Sequence, residues 1–120
     1  MLSQQEIDEY NENGYILARN VVSKEQLTEL QRLTYEFIEN SKDVNESNKI
    51  YDLDEGHSKN EPRLTRVKLP HKQNPYFWNI IKESKIQSIL ESILGENILL
   101  QTSKLNTKAP GGGASVEWHQ

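Results

Sequence analysis

The chain has 120 residues and a mass of 13.9 kDa, and its 14 Lys+Arg against 18 Asp+Glu give a formal net charge of -4. That is one domain at most, and the acidic balance argues against a partner held by bulk positive charge, whether nucleic acid or an anionic membrane. With no cysteine, disulfides, thiolate metal sites and cysteine nucleophiles are all excluded.

The opening MLSQQEIDEY is acidic and amphipathic where a signal peptide would be basic and then apolar, and no apolar run approaches ~18 residues. A soluble cytoplasmic chain is therefore the expectation. A hydrophobic fraction of 34% and a mean hydropathy of -0.80 lie toward the polar end for a globular domain, so the core is expected to be thin or incomplete.

In chain order, Ser3 and Glu6 have the spacing of a capping box, with Leu2 and Ile7 as its hydrophobic staple, which predicts a helix over 4–13 stopped by Gly14. Tyr15 to Arg19 is short, apolar and partly aromatic or β-branched, and reads as a buried strand. Ser23 and Gln26 repeat the capping box, and Leu27, Leu30, Leu33, Phe37 and Ile38 recur at helical spacing, predicting a helix over 24–40. Residues 41–62 are crowded with Asp, Glu, Asn and Ser and read as a long loop, either a plain solvated connection or a cover for a site. Arg63 to Leu69 alternates, with Leu64, Arg66 and Lys68 on one side and Thr65, Val67 and Leu69 on the other, as a strand does. Asn74-Pro75 starts a helix, Ser84 caps the next, and Ile86, Ile89, Leu90, Ile93 and Leu94 form its apolar stripe, ended by Gly95. A longer strand is expected over 98–106, then a turn-rich loop from Ala109 to Ala114.

Three histidines are candidate ligands or acid–base groups. His57 and His71 lie in polar stretches and read as solvated surface residues. His119 follows a Gly-rich loop that lets backbone approach a ligand closely, although a lone histidine in this setting is more often structural. A phosphate cradle at Gly111-Gly112-Gly113 finds no support, because no Lys with Ser or Thr and no helix start follows it. No Gly-x-Ser-x-Gly elbow marks a serine hydrolase.

The composite from Lys104 to Gln120, KLNTKAPGGGASVEWHQ, is more informative than its parts. It resembles the phytanoyl-CoA dioxygenase family, in which a strand ending in Lys and Pro is followed by a loop and then Trp-His-Gln-Asp or a close variant. Tyr10 and Asn13-Gly14-Tyr15, leading through Ile16-Leu17 to Val21-Val22-Ser23, resemble the family's opening. The resemblance implies a non-haem Fe(II)- and 2-oxoglutarate-dependent dioxygenase with an α+β fold, in which a helical region precedes a double-stranded β-helix of the cupin or jelly-roll kind. Such a site uses two His and one carboxylate on one face of the iron, leaving positions for the 2-oxoacid and oxygen. By this mapping His119 is the first iron ligand, Gln120 contacts 2-oxoglutarate, and Arg66 and Lys104 fall near other cofactor-contacting strand positions. The implied reaction hydroxylates an unactivated C–H bond of a small organic molecule, releasing succinate and CO2.

The chain ends one residue before the expected Asp, and the distal His and the Arg for the far carboxylate of 2-oxoglutarate do not occur in it. Residues 1–120 are therefore expected to be a single incomplete domain, truncated before the barrel closes, inactive alone and prone to associate. The expected partner is a small-molecule substrate, with no nucleic acid and no membrane; the oligomeric state stays open. The contrasting possibility is a non-enzymatic helical interaction module, in which the apolar stripes bind a partner and Trp118 and His119 only pack.

Overall fold

The computed structural model describes residues 1–82, 85–113 and 115–118. Eight elements follow in order: α1 (Gln4–Asn13), α2 (Lys24–Ser41), β1 (Tyr51–Leu53), β2 (Leu64–Lys68), α3 (Pro70–Gln73), α4 (Pro75–Lys82), α5 (Lys85–Leu94) and β3 (Lys104–Asn106). The architecture is α+β, with one antiparallel sheet in the order β1-β2-β3.

Both capping boxes form. Ser3 Oγ accepts from the Glu6 backbone N–H while Glu6 Oε2 accepts from the Ser3 N–H at 2.8 Å, and Ser23 and Gln26 repeat the exchange. Gly14, at φ 78°, ends α1 in the left-handed conformation, its N–H returning to the Tyr10 carbonyl at 2.8 Å. Asn74 starts α4 by accepting from the Tyr76 N–H through Oδ1 at 2.9 Å. The expected cap Ser84 lies outside the described residues, whereas the stop at Gly95 forms, its N–H bonding to the Glu91 carbonyl at 3.0 Å.

Three sequence expectations need correction. Residues 15–19 form no strand, and Tyr15 and Leu17 are exposed, because no strand runs beside them to take their backbone hydrogen bonds. The strand expected over 98–106 shrinks to Lys104–Asn106, because β2 is only five residues long and pairs only this much of it. The loop 41–62 contains β1 and is pinned rather than free. Asn48 Oδ1 accepts from the N–H groups of Ile50 and Tyr51, and Ser47 Oγ accepts from Leu53.

The alternation expected along β2 is broken by a bulge. Asp52 pairs with Arg66 but Leu53 pairs with Leu64, so Thr65 is the extra residue on β2. One extra residue lets side chains three apart face the same way, and Leu64 and Val67 are both buried, at 3% and 0% exposure. β2 packs against α2. Phe37 of α2 packs edge-on to Tyr51 with ring centroids 6.4 Å apart and lies 5.9 Å from Phe77 of α4, while Leu33 and Ile80 complete this small core. Arg66 and Lys68 remain on the opposite face of the sheet.

The molecule is extended. Its Cα radius of gyration is 16.9 Å, against ~13.6 Å for a compact domain of this length, and 9244 Å² of surface is exposed, against ~6,700 Å² for a compact monomer of this mass. No helix among the described residues is long and apolar enough to cross a membrane.

Leu64→Ala is expected to lower stability by about 2–5 kcal/mol in urea unfolding, whereas Leu99→Ala, at a position 91% exposed, should change it little. The Glu6 carboxyl is held below the usual carboxylate range by the Ser3 N–H and hydroxyl. A depressed folded-state value means that its contribution is present above the ordinary value of 4.5 and is lost as pH falls through the lower folded value. Helicity of α1, followed by NMR, should therefore fall on acidification below that range, and Glu6→Gln should flatten the dependence.

Candidate functional site

The open face of the sheet gathers Asp52, Arg66, Lys68, Lys104 and Asn106. In register, Arg66 lies between Asp52 and Asn106, and Lys68 lies opposite Lys104. Arg66 Nε donates to Asn106 Oδ1 at 3.2 Å and Arg66 Nη1 reaches Asp52 Oδ2 at 3.5 Å. Lys68 Nζ lies 2.6 Å from Asp52 Oδ1 and donates to the Asn48 carbonyl at 2.7 Å. One carboxylate thus serves two cations, and Lys104 makes no hydrogen bond or ion pair among the described residues. Two of the expected cofactor contacts, Arg66 and Lys104, are brought together here, on strands that the sequence separates by 38 residues. Lys68, Asp52 and Asn106 join them; the alternation put Arg66 and Lys68 on one side, but nothing in the sequence named their cross-strand neighbours.

A second cluster ties the hairpin connection between β1 and β2 to the Gly-rich loop. The Arg63 side chain is 16% exposed, with Nη1 3.0 Å from Glu61 Oε1 and Nη2 3.8 Å from Asp54 Oδ2. Its guanidinium abuts Gly112, where an added Cβ would stand 2.1 Å from Nη2, and its Nε is buried with no partner among the described residues. A side chain at 112 would make the Arg63 guanidinium shift.

Neither His57 nor His71 is the solvated surface residue expected. His57 Nδ1 accepts from the Arg63 N–H at 2.8 Å, which places the ring proton on Nε2, and Nε2 donates to the Ser41 carbonyl at 3.0 Å. His57 therefore clamps the end of α2 to the start of β2. His71 Nδ1 lies 2.5 Å from Ser103 Oγ, and its ring centroid is 6.0 Å from that of Trp78. Both are committed to holding the fold together. No three metal-ligating side chains converge among the described residues, so these residues do not by themselves fit an iron ion. His119 and Gln120, expected as iron ligand and 2-oxoglutarate contact, lie outside the described residues.

A groove of about 700 Å³ lies away from this face, between α4, α5 and residues 96–100, lined in part by Trp78, Leu90, Leu94 and Leu99. Its lining is mixed, with Lys82, Glu91 and Glu96 among the apolar side chains.

A helix-backed sheet with a charged open face, followed by a Gly-rich loop into Trp118, is the arrangement over which a family match extends. The pattern described as Phytanoyl-CoA dioxygenase (PhyH) matches residues 10–120. The chain belongs to this family. A relative from Stutzerimonas stutzeri, named "Probable alpha-ketoglutarate-dependent hypophosphite dioxygenase", is 30% identical over 112 residues. That alignment covers 93% of this chain and 39% of the relative, so the chain spans well under half of the relative's length. No solved structure matches.

His57→Phe leaves the Ser41 carbonyl and the Arg63 N–H without their shared partner. It is expected to destabilise the chain by about 1–3 kcal/mol, measured by urea unfolding.

Proposed function

We propose that this chain is the N-terminal part of a non-haem Fe(II)- and 2-oxoglutarate-dependent dioxygenase whose barrel, a double-stranded β-helix, is completed by residues outside these 120. The family match over residues 10–120 carries this reading, and the name of the Stutzerimonas relative supports the 2-oxoglutarate requirement. His119 supplies one iron ligand and Gln120 a 2-oxoglutarate contact, with the remaining ligands supplied from outside the chain. On this reading the 120-residue polypeptide is inactive alone, because one histidine cannot hold iron without its partner ligands.

On this reading α2 and α4 form the outer wall and the charged face of β1-β2-β3 looks into the barrel. Arg66 and Lys104 there meet the carboxylates of 2-oxoglutarate, as charge-assisted contacts suit them to do. The substrate is a small molecule oxidised with release of succinate and CO2, either at an unactivated C–H bond or, as the relative's name suggests, as a small inorganic anion. Neither nucleic acid nor membrane is a partner, and the protein works in the cytoplasm.

The coding sequence beyond codon 120 tests the assignment: an Asp codon next, followed later by His and Arg, is expected, and a stop codon or the lack of an acidic residue there overturns it. Succinate formation tests the rest. The 120-residue chain with Fe(II), 2-oxoglutarate and hypophosphite or a small organic acid is expected to form none above background, and robust turnover would refute its inactivity.

A further inference from the structure

Residues 96–102 join the end of α5 to β3, and among the described residues none of their backbone N–H or C=O groups makes a hydrogen bond within the chain. Their composition is that of a strand. Ile98, Leu99, Leu100, Gln101 and Thr102 include no charge, proline or glycine, and Leu99 is 91% and Leu100 37% exposed. Unpaired backbone beside exposed apolar side chains is a template for another strand, and protein edges are normally blunted against this by a charge, a proline or a bulge. Nothing of that kind interrupts 98–102.

The edge of β3 fixes which groups are offered. Leu69 donates to the Ser103 carbonyl at 3.1 Å and Thr107 to the Thr65 carbonyl at 3.0 Å, so 103 and 107 turn their backbone toward β2, while Lys104 and Asn106 turn theirs away from it. Continued toward α5, the same alternation aims the N–H and C=O groups of Thr102, Leu100 and Ile98 outward along one edge.

A second copy of the chain suits this edge. Antiparallel self-pairing centred on Leu100 sets Ile98 against Thr102 of the other copy, a register in which the outward groups of both meet in about six hydrogen bonds. The same register brings Glu96 opposite Lys104 of the other copy, and by symmetry does so twice. Both side chains are exposed. Exposed pairs of this kind contribute little affinity but fix register, and Lys104 stays on the open face of the sheet. Affinity comes from Leu99 and Leu100, which border the groove edged by Trp78 and Leu94, themselves 40% and 63% exposed. The molecule's exposed surface of 9244 Å² exceeds that of a compact monomer by ~2,500 Å², more than the ~1,600 Å² a standard interface buries.

Other edges suit a copy less well. Self-pairing of β1 about Asp52 sets carboxylate against carboxylate. Residues 15–19 are also unpaired, with Tyr15 and Leu17 exposed, but an isolated ribbon of two such strands is marginal. Residues 98–102 run directly into β3, so pairing there joins two three-stranded sheets into one.

We infer that residues 98–102 are a dimerisation strand, pairing antiparallel with the same residues of a second copy across a two-fold axis at Leu100. The inference does not rest on the dioxygenase reading, since neither iron nor 2-oxoglutarate enters it.

Sedimentation equilibrium of the 120-residue chain at micromolar to submillimolar concentration, with amide hydrogen exchange followed by NMR, tests this. A monomer–dimer equilibrium is expected, with the amides of Ile98, Leu100 and Thr102 protected in the dimer and those of Leu99 and Gln101 exchanging freely. Leu99→Lys should weaken dimerisation at least tenfold with far-UV circular dichroism unchanged. Glu96→Lys, which opposes like charges twice, should weaken it severalfold, and combining it with Lys104→Glu should restore it. A dimer indifferent to Leu99→Lys and to Glu96→Lys would overturn the interface. So would a monomer throughout the range whose 98–102 amides all exchange freely, which would leave this edge to a strand from outside the chain.

Discussion

Burial of Leu64 and Val67, on the strand that packs against α2, is the constraint on which the rest of the molecule depends. These two side chains are the most deeply buried apolar residues of the sheet, and Phe37, Tyr51 and Phe77 join α2 and α4 to β1. The bulge at Thr65 makes this possible within five residues. Strict alternation would place Leu64 on the face of Arg66 and Lys68; with the extra residue, β2 sends two apolar side chains inward and keeps two cations outward.

That division creates the candidate site and also limits the fold. Helices cover one face of the sheet, while the other carries Arg66, Lys68 and Lys104 over a single carboxylate. The surface exceeds that of a compact monomer by ~2,500 Å², an area on the scale of a substantial interface. The relative that the chain matches is more than twice as long.

The polar clamps hold segments that apolar burial does not reach. His57 joins Ser41 to Arg63, and His71 joins α3 to Ser103 just before β3. His57 uses both ring nitrogens in this way and His71 its Nδ1, so each imidazole acts as a hydrogen-bonding group that ties segments together. Arg63, pressed against Gly112, similarly couples the β1–β2 connection to the loop that leads to Trp118.

The amino-acid order alone determined where α1 and α2 start and where α1 and α5 end, because capping boxes at Ser3 and Ser23 and the left-handed glycines at 14 and 95 act within one or two turns, whereas α3 was not among the expected helices. It also carried the family resemblance, through the contiguous run from Lys104 to Gln120. Strands were another matter. Tyr15 to Arg19 has strand composition and no strand neighbour, whereas Tyr51 to Leu53, hidden in a polar stretch, pairs because β2 lies beside it. Pairing across the sheet decided that Lys68 opposes Lys104, that Asp52 is shared and that Thr65 bulges. A strand's hydrogen bonds lie outside the strand, so only the tertiary structure can supply them.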